Sequence, residues 1–171
     1  THNFIRGLGN FGVSIGLARG GELVAGVIYM PLENELYRAE MGAGAFRNDT
    51  RIHVSGTDTI ARCSLCFDSS IRYDPDRITA VLRRVGTRVF NLRMFGSSVR
   101  ALTYLAEGRV DAAVEFDDRP WDFAAGMALL GEAGGQVHAL DGGPLSLDKR
   151  GYVASNGLIH KELQAIVSGA A

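Results

Sequence analysis

Apolar and small residues alternate with a period of two near the start of the chain. The apolar positions of this first run are Phe11, Val13, Ile15 and Leu17. A period of two is typical of a β-strand with one buried face. Further strands are expected at 23–30, 35–40 and 51–54, separated by turn signals, and the glycine-rich segment 42–46 is expected to break the run. The first sixty residues therefore predict an antiparallel meander.

The rest of the chain alternates between strand and helix patterns. Asp74 and Pro75 form a helix start, and Gly108 ends a second helix that begins after 96–98. Strands are expected at 64–68, 87–95, 110–116, 137–140 and 152–154, with further helices at 121–133 and 159–167. We predict an α/β fold in which an antiparallel sheet over 1–60 precedes a mixed sheet flanked by helices over 61–171.

Composition excludes several classes of protein. The chain has 171 residues, of which 46% are hydrophobic and 22% charged, with a net charge of −1. These values fit one soluble domain and exclude a disordered chain. No apolar run is long enough for a transmembrane helix, and the near-neutral charge argues against nucleic-acid binding. Residues 1–10 show no secretory signal, so we expect a cytoplasmic protein that binds neither membrane nor nucleic acid.

The cysteines and histidines favour structural roles. Cys63 and Cys66 are separated by two residues on an expected strand, which directs them to opposite faces, so we predict two buried free thiols. The spacing of the histidines suggests no metal pair, and each is expected on the surface or on a strand. The histidines are His2, His53, His138 and His160.

The glycine-rich segment 7–12 has the letters of a dinucleotide-binding loop. Such a loop requires a strand before it and a helix after it, whereas here a strand follows. The segment is therefore expected to shape a turn.

The acidic segment 110–126 is the strongest candidate for chemistry. Glu115 lies near the end of an expected strand, and Asp122 lies in the first turn of the helix that follows. In α/β proteins such positions converge on the crevice where ligands bind. Asp122 could cap its helix, or it could hold a hard cation such as Mg²⁺ through an oxygen atom.

Short motifs of one family extend over essentially the whole chain. The motif WDFAAG at 121–126, followed by EAGG at 132–135, resembles the C-terminal signature of the inositol monophosphatase family of Mg²⁺-dependent phosphomonoesterases. Other matching pieces are THNF at 1–4, the strand at 11–17, GAGAF at 42–46 with Asn48, GSS at 96–98, GRVDA at 108–112 and ASN at 154–156. Their order and spacing together are specific to this superfamily, and the fold they imply is the C-terminal part of an αβαβα sandwich.

The resemblance implies a role for each matching residue. Asp122 would bind a catalytic Mg²⁺ ion, and Thr1 would help to orient the attacking water. Glu115 would accept hydrogen bonds from substrate hydroxyls. The segment Gly96, Ser97 and Ser98 would line the polyol pocket. The implied reaction is hydrolysis of inositol 1-phosphate or a similar polyol or sugar phosphate by metal-activated water.

The same resemblance implies that other metal ligands precede Thr1. The glutamate and the two aspartates of the family's metal loop do not occur in residues 1–171. We therefore expect a single truncated phosphatase domain that is inactive by itself. The resemblance also implies a homodimer.

Two alternatives stay open at this stage. One is a related substrate: histidinol phosphate, fructose 1,6-bisphosphate or a 3′-phosphonucleotide. The other is a non-catalytic α/β module that acts through assembly or ligand binding. The arginines at 83, 84, 88 and 93 could favour a second phosphate, but a solvated face is the expected reading.

Overall fold

A computed structural model describes residues 1–170 of the protein. It contains two five-stranded sheets and five α-helices. The helices are α1 (His2–Ile5), α2 (Pro75–Gly86), α3 (Ser98–Ala106), α4 (Pro120–Glu132) and α5 (His160–Ser168). Short 3₁₀ turns lie at Ile60–Arg62 and Ile71–Tyr73.

The first sheet is the predicted antiparallel meander, with its strands in chain order. It consists of β1 (Val13–Arg19), β2 (Glu22–Met30), β3 (Glu35–Glu40), β4 (Gly44–Arg47) and β5 (Thr50–Ile52). Ile15 of β1 lies opposite Val27 of β2, and Val27 lies opposite Arg38 of β3. Val13, Ile15 and Leu17 are more than half exposed on its outer face, since α4 covers only the inner face.

The second sheet is mixed, as predicted. Its strands are β6 (Ser64–Phe67), β7 (Asn91–Arg93), β8 (Ala112–Glu115), β9 (Gln136–His138) and β10 (Tyr152–Ser155), in the order β7-β6-β8-β10-β9. Strand β6 is parallel to β7 and β8, whereas β10 is antiparallel to β8 and β9. Because β6 and β8 are parallel, their carboxyl ends meet at one edge of the sheet.

The two sheets are held apart by a layer of helices. Helix α4 packs on the first sheet and on α3, while α2 and α5 cover the far face of the second sheet. Small residues permit the close approach of α4: a Cβ atom on Gly16 would lie 2.8 Å from the Cβ of Ala124, and one on Gly26 would lie 2.8 Å from the Cα of Ala125. The layers therefore run sheet, helices, sheet, helices.

The two cysteines confirm the prediction of buried free thiols. Cys63 belongs to the core beneath α2 and α5, whereas Cys66 belongs to the core beneath α3 and α4. Burial raises the pKa of each thiol to about 12. The pair is therefore divided between two hydrophobic layers.

Some local predictions were wrong. The strand expected at 87–95 is only Asn91–Arg93. The glycine-rich segment 42–46 does break the chain after β3, with φ values of +77° at Gly42 and +91° at Gly44, but the strand β4 that begins at Gly44 was missed. Helix α1 was missed because four residues are too few to show a helical period.

Arg84, predicted on a solvated face, and His160, predicted on the surface or on a strand, have structural partners instead. Arg84 donates from Nε to the carbonyl of Ile166 at 2.9 Å and from Nη2 to that of Val167 at 2.8 Å. His160 is buried at the start of α5, and its Nε2 lies 2.8 Å from Nδ1 of His138. These contacts join segments far apart in the chain, so local spacing could not predict them.

None of the helices within residues 1–170 combines the length and the apolar character needed to cross a bilayer.

Candidate active site

A cavity of about 370 Å³ opens where strands β6 and β8 end and helices α3 and α4 begin. We call it the carboxylate cavity. Its wall includes all the predicted site residues, namely Thr1, Gly96, Ser97, Ser98, Glu115 and Asp122, together with two aspartates that were not predicted, Asp68 and Asp118. Residues spread over most of the chain are thus brought to one crevice, although their roles stay predictions.

Glu115 is the last residue of β8 and is buried. Burial raises the pKa of its carboxyl well above the usual range, and the negative charges of Asp118, Asp68 and Asp122 raise it further. A cation or a hydrogen-bond donor in the cavity would relieve this repulsion. The carboxyl lines the carboxylate cavity.

Asp68 follows directly after β6 and ties the two strand ends together. One carboxylate oxygen accepts the N–H of Ser70 at 2.6 Å, and the other accepts the N–H of Phe116 at 3.0 Å. These two charge-assisted bonds fix the backbone on the carboxyl side of Glu115. Sequence reasoning missed this residue, although its position at the end of a predicted buried strand was the available signal.

Asp118 lies between Glu115 and Asp122 in the acidic segment and was also missed. Its Oδ2 is buried and has no hydrogen-bond partner within residues 1–170. Burial raises its pKa to about 7, against the opposing effect of the nearby Ser98 side chain. The run of acidic residues from 115 to 122 was the signal that could have identified it.

Asp122 is the third residue of helix α4, and the N-cap of the helix is Arg119 rather than Asp122. Oδ2 of Asp122 accepts the backbone N–H of Arg119 at 2.9 Å, a capping bond made from within the first turn, which also holds Pro120. A carboxylate has further lone pairs after accepting one such bond. The capping bond is therefore compatible with the second reading, in which Asp122 also contacts a cation.

The start of α3 forms another side of the cavity. The Ser97 side chain accepts the N–H of Arg100 at 3.4 Å, and Gly96 takes a φ of +61° in the turn before it. Asn3 holds this turn against the start of the chain, since its Nδ2 donates to the carbonyls of Phe95 at 2.9 Å and Asn10 at 2.8 Å. These bonds bring Thr1 to the same cavity as Ser98.

The donor chemistry of the carboxylate cavity suits a hard divalent cation. Carboxylate oxygens are the ligands that such ions prefer, and the buried Oδ2 of Asp118 lacks any donor among the described residues. Within residues 1–170, however, no three Asp, Glu, His or Cys side chains are close enough to hold a metal ion by themselves. This chain would therefore contribute only part of a ligand set.

Known proteins share both the sequence and the fold. An inositol-1-monophosphatase of Mesorhizobium japonicum is 42% identical over 95% of this chain and 62% of its own length. A fructose-1,6-bisphosphatase/inositol-1-monophosphatase of Thermotoga maritima is 36% identical over 98% of this chain and 64% of its own length. The chain thus spans somewhat less than two thirds of these curated relatives.

The structural comparison agrees. The solved inositol monophosphatase from Anabaena superimposes with a TM-score of 0.94 at 37% identity, covering 99% of this chain and 68% of that one. The family match extends over residues 1–170 and includes every residue of the carboxylate cavity. The chain belongs to the inositol monophosphatase family.

Proposed function

We propose that the full-length protein is a Mg²⁺-dependent phosphatase that hydrolyses inositol 1-phosphate or a similar polyol or sugar monophosphate. The observation that carries this proposal is the convergence of Thr1, Ser98, Glu115 and Asp122 on one cavity. The names of the relatives from Mesorhizobium japonicum and Thermotoga maritima support the same class of activity.

Two sides of the carboxylate cavity suit different parts of such a substrate. Glu115 and the start of α3 would bind the hydroxyl groups, because a carboxyl oxygen accepts hydrogen bonds in either protonation state and a helix N-terminus offers N–H donors. Thr1 would face the phosphate, where its hydroxyl would orient the attacking water. The substrate would then span the cavity between Thr1 and Glu115.

Asp122 would hold the cation. A divalent ion, when bound, neutralises charge on phosphate oxygens and lowers the pKa of a coordinated water. The role of this chain is to fix the Asp122 carboxylate at the start of α4, where the capping bond to Arg119 restrains it. The family resemblance assigns the remaining ligands to motifs that residues 1–171 do not contain.

The test is phosphate release from inositol 1-phosphate by the full-length protein, with and without Mg²⁺. The variant Asp122→Asn keeps an oxygen that can accept the Arg119 N–H, so the cap survives while the charge is lost. We expect activity to fall by about 100-fold or more, because several kcal/mol of charge stabilisation disappear. Asp76→Asn, in the first turn of α2, is the matched control and should keep full activity.

Two results would contradict the proposal. Full activity of Asp122→Asn would remove this residue from the metal site. An absence of Mg²⁺-stimulated hydrolysis across inositol 1-phosphate, histidinol phosphate, fructose 1,6-bisphosphate and a 3′-phosphonucleotide would favour the alternative of a non-catalytic module.

The family resemblance supports two further proposals, a homodimer and a cytoplasmic location. Sedimentation velocity of the full-length protein tests the first, and a single species with the mass of one chain would overturn it. Fractionation of the source cells tests the second.

A further inference from the structure

The carboxylate cavity carries more negative charge than its own residues compensate. Four carboxyl side chains line it, and within residues 1–170 none of its lining residues is Lys, Arg or His. Asp68 accepts two backbone N–H groups, and Asp122 accepts the N–H of Arg119. The other two carboxyls are those of Glu115 and Asp118, which we call the carboxylate pair.

The carboxylate pair is buried without compensation. Glu115 is only 8% exposed, and its side chain forms no hydrogen bond or ion pair within the described part of the chain. Oδ2 of Asp118 is buried and equally lacks a partner there. Burial raises the pKa of both carboxyls, and the charge of Asp118 raises that of Glu115 further. Such groups cost free energy unless a donor or a cation enters the cavity beside them.

The loop between β8 and α4 separates two adjacent aspartates. The backbone carbonyl of Asp118 accepts the N–H of Gly151 at 3.2 Å, which fixes this part of the loop against the start of β10. Asp117 forms an ion pair with Arg150, at 2.8 Å between Oδ1 and Nη1, and is not part of the cavity wall. Asp117 therefore has a cation of its own, whereas Asp118 lines the carboxylate cavity without one.

From this arrangement, and resting on the proposed phosphatase function, we propose that the carboxylate pair and the hydroxyl of Ser98 bind a primary ammonium group of the substrate. An ammonium group has three N–H donors, one for each of Glu115, Asp118 and Ser98, and its positive charge offsets the negative charge of the pair. A hydroxyl group offers one donor and no charge. The substrate class that follows is the phosphate monoester of an amino sugar, in which an amino group replaces one hydroxyl.

A divalent cation is the competing occupant of the carboxylate pair. Mg²⁺ requires a nearly octahedral set of oxygen ligands and is bound through carboxylates. Within residues 1–170, no three Asp, Glu, His or Cys side chains are close enough to hold a metal ion. Two carboxyls and one hydroxyl fall short of such a set, but they match the three donors of an ammonium group. Asp122 remains the residue proposed to contact the metal ion.

Glucosamine 6-phosphate and glucose 6-phosphate are matched probes, because they differ only in an amino group against a hydroxyl. Glucosamine 1-phosphate and glucose 1-phosphate form a second pair, in which the amino group lies nearer to the phosphate. For the full-length protein with Mg²⁺, we expect kcat/KM for the amino sugar to exceed that for its partner by about tenfold or more in at least one pair. The absence of this preference from both pairs would overturn the inference.

Asp118→Asn keeps the size of the side chain and removes its charge, so it should reduce this ratio of kcat/KM values to within about twofold of unity. Asp117→Asn is the matched control, because Asp117 is the adjacent aspartate and is outside the carboxylate cavity. It should keep the wild-type ratio. A ratio that Asp118→Asn leaves unchanged, or that both variants reduce equally, would overturn the role of Asp118.

A binding measurement separates failure of this inference from failure of the proposed function. Titration calorimetry of the full-length protein with the same sugar phosphates, in the absence of Mg²⁺, needs no hydrolysis. We expect wild type to bind the preferred amino sugar phosphate about tenfold more tightly than its partner, and Asp118→Asn to bind the two within about twofold. This result would support the inference even in a protein that hydrolyses nothing. If added Mg²⁺ abolishes the preference, the carboxylate pair binds the metal ion instead of the substrate, and the inference is overturned.

Discussion

The carboxylate of Asp68 accepts the backbone N–H of Phe116 at 3.0 Å, although the two residues are 48 positions apart in the chain. This bond joins the end of β6 to the residue that follows Glu115. The position of Glu115 in the carboxylate cavity therefore depends on an aspartate on the neighbouring strand.

Replacement of Asp68 should disturb both stability and the site. Asp68→Ala leaves the N–H groups of Ser70 and Phe116 without their carboxylate acceptor, which costs about 1–3 kcal/mol for a buried donor. We expect a loss of this size in urea denaturation, accompanied by a higher KM for inositol 1-phosphate in the full-length protein. Asp58→Asn, at a site 69% exposed, is the control and should change neither value. Unchanged stability of Asp68→Ala would show that the two strand ends are held by other contacts.

Asp118 should make the protein less stable as the pH rises. Its pKa is about 7 in the fold against an ordinary value of 3.8, because burial penalises the charged form. The contribution of Asp118 to the free energy of unfolding is therefore fully present below pH 3.8. It is lost as the pH rises through about 7, and the free energy of unfolding decreases by up to about 4 kcal/mol. Urea denaturation of wild type and Asp118→Asn between pH 4.5 and 7.5 measures the effect. The free energy of unfolding of wild type should fall, relative to that of the variant, by roughly 1.4 kcal/mol per pH unit.

The difference in free energy of unfolding between wild type and Asp118→Asn should change with pH. Relative to wild type, the variant should be more stable at pH 7.5 than at pH 4.5. Asp49→Asn, an exposed carboxyl, should run parallel to wild type over the same range. If the free energy of unfolding of Asp118→Asn instead has the same pH dependence as that of wild type, the Asp118 carboxyl is already ionised in the folded protein at pH 4.5.

His160 should have the opposite dependence on pH. Burial, and the nearby charge of His138, lower its pKa from 6.5 to about 4. The unfolded chain takes up a proton as the pH falls below 6.5 while the folded protein does not, so stability decreases towards pH 4 by up to about 3 kcal/mol. We expect the variant His160→Gln to be less stable than wild type at pH 7.5, because its bonds to Ser155 and His138 are lost. Between pH 6.5 and 4, its free energy of unfolding should change less with pH than that of wild type. His53→Gln, at an exposed histidine, should keep the wild-type slope.

Gly26 should tolerate no side chain. A Cβ atom there would lie 2.8 Å from the Cα of Ala125, which is backbone and cannot rotate away. We expect Gly26→Ala to lower the free energy of unfolding by about 1–3 kcal/mol through overpacking. Gly56→Ala is the control, because no atom lies within 4 Å of its added Cβ. Equal stability of the two variants would show that α4 can move away from the first sheet at little cost.

Sequence patterns predicted the features that depend on near neighbours. The period of two around Ile15 gave the meander, and the order of strand and helix gave the mixed sheet. Glu115 and Asp122 are only seven residues apart, and they meet because a short loop joins their strand and helix. Local spacing was enough in each of these cases.

The missed features depend on contacts between distant parts of the chain. The bond from Asp68 to Phe116 and the contact between His138 and His160 exist only after sheet and helices have assembled. Asp118 was missed because its burial, close to Ser98 and Tyr152, arises only in the assembled fold. The strand that begins at Gly44 was missed because a positive φ value inside a sheet has no signature in hydrophobic periodicity.

Because the two cysteines belong to different cores, the reactivity of each thiol reports on the opening of its own core. Cys63 becomes reactive only when the outer helices separate from the second sheet, and Cys66 only when the inner layer opens. Alkylation rates followed at each thiol by mass spectrometry would therefore time the loosening of the two halves of the molecule independently.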